Sequence, residues 1–149
     1  MPIGEFCTKN VVTARGNETV ADAAKKMSDN SVGTIIVVDR QAVPVGMITD
    51  RDITVRVVAE GKDPTSTRIN EAMSEDPIVL NEERGIFEAV KTMCEQGVRR
   101  VPIVDGEGKL SGILSLDDLI MIFGEEMASI AGVVAYGSSR FSAKKIAVG

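Results

Sequence analysis

The chain has 149 residues, 44% of them hydrophobic, with a net charge of −5, no histidine and no tryptophan. That length suits one compact domain or two small units sharing a core, since a unit of about 60 residues buries too little surface alone, and the missing imidazole excludes every scheme that needs one as base, proton shuttle or metal ligand. The acidic balance excludes a general nucleic-acid surface, which needs a basic footprint, so any phosphate binding must be local.

In chain order, no charged-then-apolar leader opens the sequence, and no apolar run near 18 residues follows. The expectation is a cytoplasmic protein that neither enters nor crosses a membrane. Cys7 and Cys94 have no His or Cys company that could hold zinc and read as ordinary thiols. A short strand over residues 11–14 precedes a helix with Val20, Ala23, Ala24 and Met27 at helical spacing. Strands over 35–38 and 45–48 lead to a second helix over 50–60, and the breaker-rich GKDPTSTR at 61–68 reads as a connection.

The same order then returns. A strand over 78–80 is followed by a helix with Ile86, Ala89, Val90 and Met93 on one face, strands over 101–104 and 112–114, and a second helix over 116–123 or beyond. Sliding the chain by 66 positions aligns residues 3–53 with 69–119 without a gap, matching Ile3 with Ile69, Met27 with Met93, Asp39 with Asp105, Gly46 with Gly112 and Asp52 with Asp118. Residues 125–136 have helical character, with Met127, Ile130, Val133 and Val134 as an apolar face that suits a partner, and the remaining residues read as a flexible end or a docking peptide.

The most telling repeat is GMITDRDI at 46–53 against GILSLDDL at 112–119. A hydroxyl residue three positions before a carboxylate at a helix start is a capping-box variant, Thr49 with Asp52 and Ser115 with Asp118. The same residues suit a ligand: glycine lets it approach the backbone, the helix start and hydroxyl meet a phosphate, and aspartate accepts from a ribose diol. Both roles can coexist. Arg99 and Arg100, ahead of a buried strand, suit phosphate oxygens or a solvated edge, and their counterparts Gly33 and Thr34 are uncharged.

Three other signals carry less. DGEGKLSG at 105–112 lacks the spacing and context of a phosphate loop and reads as a hairpin turn, while the acid pairs Asp117–Asp118 and Glu125–Glu126 read as surface charges favoured at helix starts. The seven methionines read as core filler.

With VGTIIVVD and GMITDRDI in the first copy and VRRVPIVD and GILSLDDL in the second, the chain resembles a tandem pair of CBS domains, the regulatory modules named after cystathionine β-synthase. The resemblance covers about residues 3–124. It implies an α+β fold of two β-α-β-β-α repeats packed as a pseudo-twofold pair, with the first domain at 1–60, a linker at 61–68, the second domain at 69–124 and a C-terminal helix and tail at 125–149. It further implies adenosine-type ligands in two clefts and no catalysis. AMP is the foremost ligand, with ADP, ATP or S-adenosylmethionine as others; no cofactor is required. A homodimer through the CBS helices, a protein target, and an adaptor with non-binding clefts as the alternative complete these expectations. Carried onto this sequence, one cleft takes Thr49, Arg51, Asp52, Pro77, Ile78, Val79, Val98, Arg99 and Arg100. A weaker twin takes Val12, Thr13, Val32, Gly33, Thr34, Ser115, Asp117 and Asp118.

Overall fold

The computed structural model describes residues 1–148, with side chains described through Gly137. The chain divides into two units, Met1–Ser115 and Leu116–Gly149.

In the first unit, each repeat contributes one amphipathic helix and one small sheet. Helix α1 (Val20–Asn30) begins at a capping box in which the Asp22 N–H donates to Thr19 Oγ1 at 3.1 Å and the Thr19 N–H donates to Asp22 Oδ2 at 3.0 Å. Val20, Ala23 and Met27 are buried, while Ala24, expected on that face, is exposed. Its counterpart α4 (Ile86–Gln96) buries Ile86, Ala89 and Met93 and leaves Val90 half-buried. Both helices end on a left-handed residue, Ser31 at φ 53° and Gly97 at φ 64°.

Strands β1 (Thr13–Ala14), β2 (Thr34–Val38), β3 (Pro44–Thr49) and β4 (Ser74–Glu75) form one sheet in that order; β1 pairs parallel to β2 and the other neighbours pair antiparallel. Strands β5 (Leu80–Asn81), β6 (Arg100–Val104) and β7 (Leu110–Ser115) form the other, again parallel and then antiparallel. The leading strands are shorter than the sequence suggests: only 13–14 and 80–81 pair. The turn before β7 is the expected hairpin, with Asp105 Oδ1 accepting from the N–H groups of Glu107 and Lys109 at 2.9 and 3.0 Å.

The repeats exchange their leading segments. Strand β4 follows the short helix α3 (Ile69–Ala72) and pairs with β3 of the first repeat, and Ile69 and Ala72 lie in a core cluster with Val20, Ile35, Ile48 and Val57. Reciprocally, Ile3 donates its N–H to Arg84 O at 2.8 Å, Gly4 donates to Glu82 O at 2.9 Å, and Thr8 forms a bridge with Ile113 of β7. This reciprocity is what a pseudo-twofold pair requires, and it welds two small units into one core.

The connection at 61–68 is ordered by its own side chains. Asp63 Oδ1 accepts from Thr65 N–H at 2.9 Å and from its hydroxyl at 2.7 Å, while Thr67 O and Pro64 O accept from Val20 N–H and Ala21 N–H, two donors at the start of α1 that lack partners within the helix.

The second helix of the first repeat is shorter than the expected 50–60. α2 (Asp50–Ile53) passes into a π-helical turn, Thr54–Val58, closed by the Ala59 N–H donating to Thr54 O at 2.9 Å. In the second unit, the helices expected at 116–123 and 125–136 are one continuous helix, α5 (Leu116–Val148). Its stretch Leu116–Gly137 is long and apolar enough, by length and composition, to cross a membrane, although no uninterrupted apolar run of that length is present. The expected flexible or docking tail, 138–149, lies outside the residues whose side chains are described.

Candidate functional site

The site is built where the ends of β2 and β3 meet the start of α2. Thr34 and Thr49 are register partners on adjacent antiparallel strands, which sets both side chains on one face of the sheet. Directly after Thr49 the chain turns into α2, and the capping box forms: the Asp52 N–H donates to Thr49 Oγ1 at 3.1 Å and the Thr49 N–H donates to Asp52 Oδ2 at 2.9 Å. Thr49 keeps its hydroxyl proton as a donor, and Asp52 keeps Oδ1 as an acceptor.

Asp52 is also braced from the next turn. Arg56 Nη1 donates to Ala72 O at 2.9 Å, while Nη2 lies 3.4 Å from Ser74 Oγ and 3.8 Å from Asp52 Oδ1. One guanidinium thus ties the exchanged segment of the second repeat to the carboxylate of the first. The i, i+4 spacing of an acid and a base was its signal in the sequence; the counterpart of Arg56 in the second repeat is Ile122.

Opposite the capping box, residues 98–100 lead into β6. A cleft of about 410 Å³ lies between, lined by Thr34, Met47, Thr49, Asp52, Ser74, Asp76, Pro77, Ile78, Val98, Arg99 and Arg100. Met47, Pro77, Ile78 and Val98 give it apolar walls, and Thr34, Thr49, Asp52, Asp76 and the two arginines give it polar ends. That volume and mixture fit a small organic molecule with a flat apolar part and a charged end. Among the described residues, neither Arg99 nor Arg100 has a side-chain hydrogen bond or ion pair, although both are cations with a full fork of donors.

The cleft gathers Thr49, Asp52, Pro77, Ile78, Val98, Arg99 and Arg100, but not Arg51 or Val79, which are both exposed elsewhere. It takes in Thr34, which the sequence assigned to the twin; the register with Thr49 is the reason. Met47, Ser74 and Asp76 were missed because nothing local announces that the segment after α3 crosses to the first sheet. Of the other residues assigned to the twin, Thr13 lines a smaller cavity of about 220 Å³ beside Lys9 and Ser111. Val12 O accepts from Ile36 N–H at 3.2 Å, and Val32 N–H donates to Met27 O at 3.1 Å. Gly33 O accepts from Asp50 N–H at 3.0 Å; a Cβ on Gly33 would stand 3.0 Å from Asp50 Oδ2, so its bareness serves that carboxylate. Ser115 ends β7 opposite Arg100, and Asp117 and Asp118 stand in the first turn of α5.

The repeated glycine needs a different explanation from ligand approach. A Cβ on Gly46 would collide with Met73 Sδ and stand 2.9 Å from Ser74 O; on Gly112 it would collide with Cys7 Sγ and stand 2.9 Å from Thr8 O. Each glycine leaves room for the leading segment of the other repeat, so this half of the motif maintains the exchange.

The CBS domain model matches residues 3–59 and again 69–125. The chain belongs to the CBS-domain family. The CBS domain-containing protein YhcV of Bacillus subtilis is 40% identical over 117 residues, covering 78% of this chain and 81% of that protein. An uncharacterized protein of Methanopyrus kandleri, MK0525, is 37% identical over 120 residues, which is 80% of this chain but 61% of the relative's length. The CBS domain pair of protein MJ0100, solved in complex with 5′-methylthioadenosine and S-adenosyl-L-methionine, matches with a TM-score of 0.74 at 25% identity over 85% of this chain and 98% of that one.

Proposed function

We propose that this CBS pair is a sensor that binds an adenosine ligand, AMP foremost, in the cleft between Thr49 and Arg99, and acts by changing shape without turnover. The observation that carries the reading is the pair of unpartnered guanidinium groups, Arg99 and Arg100, in one cleft with the capped Thr49–Asp52 pair. In this reading the adenine lies between Pro77, Ile78 and Val98, the ribose diol donates to Asp52, and the phosphate takes the arginines and the Thr49 hydroxyl. The adenosyl ligands of the MJ0100 complex support the ligand class. ADP, ATP and S-adenosylmethionine fit the same chemistry, with charge at the arginine end as the difference between them. In this reading the protein works in the cytoplasm as a homodimer through its CBS helices and passes its state to a protein target.

The alternative is a constitutive adaptor with a non-binding cleft, favoured by Thr49 and Asp52 already satisfying one another. A thermal-shift screen with AMP, ADP, ATP, S-adenosylmethionine and GTP separates the two. A ligand at a hundredfold excess over its dissociation constant adds about 2.7 kcal/mol of apparent stability, so the sensor shifts its melting temperature with at least one adenosine compound and the adaptor shifts with none.

A further inference from the structure

The chain passes from β4 into the cleft through a strained corner. Beyond the β3–β4 pairing, the Asp76 N–H donates to Val45 O at 3.3 Å, and the backbone then turns at φ 48° into Pro77. Few residues other than glycine adopt a positive φ, and a proline ring ordinarily drives the residue before it to extended backbone. Strain of this kind persists only where the surroundings hold it, and it gathers at ligand sites. Asn10, the counterpart of Asp76 in the first repeat, lies outside the left-handed region.

The corner delivers a carboxylate to the cleft wall. Asp76 lines the cleft together with Arg99 and Arg100, yet among the described residues its side chain has no hydrogen bond or ion pair. Asp52, the other acid there, is already engaged by the Thr49 N–H and by Arg56. The cleft thus holds one unspent anion and two unspent cations that do not neutralise one another. Its ligand therefore presents an anionic group at one place and a hydrogen-bond donor at another.

We infer that Asp76 selects the base of the ligand, its carboxylate accepting from the exocyclic amino group of a 6-aminopurine. The assignment rests on the adenosine reading of the cleft and supplies what that reading leaves open, the contact that recognises the base edge. In it the arginines take the phosphate, which a second anion at Asp76 would repel, and the adenine lies against Pro77 and Ile78, the residues directly after Asp76. A carboxylate only accepts. On the adenine edge the ring nitrogens also only accept, and the 6-amino group is the donor. A plain turn residue would account for the φ but not for an unpartnered carboxylate on the cleft wall. Two variants separate the roles, because glycine adopts this φ without strain and asparagine tolerates it as aspartate does, so both keep the corner and remove the charge.

The test is titration calorimetry on wild type, Asp76→Gly and Asp76→Asn with AMP, GMP and purine riboside 5′-monophosphate, which carries hydrogen in place of the 6-amino group. Wild type should bind AMP about tenfold more tightly than purine riboside 5′-monophosphate, the lower end for a hydrogen bond to a charged group. Asp76→Gly should bind the two alike. Asp76→Asn, whose amide oxygen still accepts, should keep a preference of about threefold, as a neutral hydrogen bond gives. If wild type binds AMP and purine riboside 5′-monophosphate alike, or Asp76→Gly keeps the full preference, the role of Asp76 is overturned while AMP binding itself upholds the adenosine reading. If wild type binds none of the three, or binds GMP more tightly than AMP, both are overturned.

Discussion

Thr49 and Asp52 hold each other at the start of α2 through two reciprocal hydrogen bonds of 3.1 and 2.9 Å, and the same two residues line the cleft. The cap and the proposed ribose contact therefore share one carboxylate. Asp52→Ala should cost about 1 kcal/mol of stability through the cap, seen in denaturant unfolding without ligand, and should also weaken every ribonucleotide. 2′-Deoxy-AMP separates the roles: it should bind wild type poorly and bind Asp52→Ala little worse. Equal affinity of wild type for AMP and 2′-deoxy-AMP removes the diol from Asp52.

Gly46 and Gly112 meet the same obstacle from opposite repeats, a sulfur and a carbonyl oxygen of the exchanged segment. Gly46→Ala and Gly112→Ala should each destabilise by about 1–3 kcal/mol, the usual cost of overpacking. Gly106→Ala, where a Cβ meets nothing within 4 Å, should change stability by less than about 0.5 kcal/mol. Denaturant midpoints of the three variants check the order.

What was legible in the sequence was whatever repeats locally. The burial of Val20, Ala23 and Met27, with Ile86, Ala89 and Met93, follows the 3.6-residue period, and the hairpin at Asp105 follows its turn residues. The destination of β4 was not legible, because Ser74 and Glu75 carry no local pattern that says which sheet edge they complete; that is set by the space beside Gly46. Hence Met47, Ser74 and Asp76 were missing from the expected cleft while Arg99 and Arg100 were in it. The continuity of α5 was within the sequence's reach, since the helix from Leu116 was expected to run on and 125–136 to extend it, and Gly124, read as the end of the second repeat, lies within that helix.

The two repeats provide their own control at the helix ends. Ser31 and Gly97 occupy equivalent left-handed positions at φ 53° and 64°. A non-glycine residue there costs roughly 1–2 kcal/mol in backbone strain, offset in part by the entropy glycine loses on folding, about 0.5–1 kcal/mol. Ser31→Gly should therefore raise the melting temperature slightly and Gly97→Ser lower it. Shifts of the same sign contradict the equivalence.

Acid should unfold the protein from its capped carboxyls. The Thr19 N–H and hydroxyl hold Asp22 below the ordinary carboxylate range, and the hydroxyl and N–H of Thr65 do the same for Asp63. At Glu18, burial pushes upward but is outweighed by the Arg15 N–H and by Lys26, whose ammonium lies 2.9 Å from Glu18 Oε1. Each is depressed in the folded state, so its contribution is complete above the unfolded-state value and is lost as pH falls through the lower folded one. Without histidine, the melting temperature should stay nearly flat from about pH 5 to 8 and fall below about pH 4. Asp63→Asn should lower it at pH 7 more than at pH 3; an equal loss at both contradicts the assignment.

The central claim is that Arg99 and Arg100 serve a phosphate, and titration calorimetry with AMP and adenosine on wild type, Arg99→Ala and Arg100→Ala tests it most directly. A charge-assisted hydrogen bond contributes about 1.5–3 kcal/mol, so each substitution should weaken AMP by roughly tenfold to a hundredfold while leaving adenosine within about twofold. AMP that binds all three proteins alike, or an adenosine affinity that falls as far as that of AMP, contradicts the account.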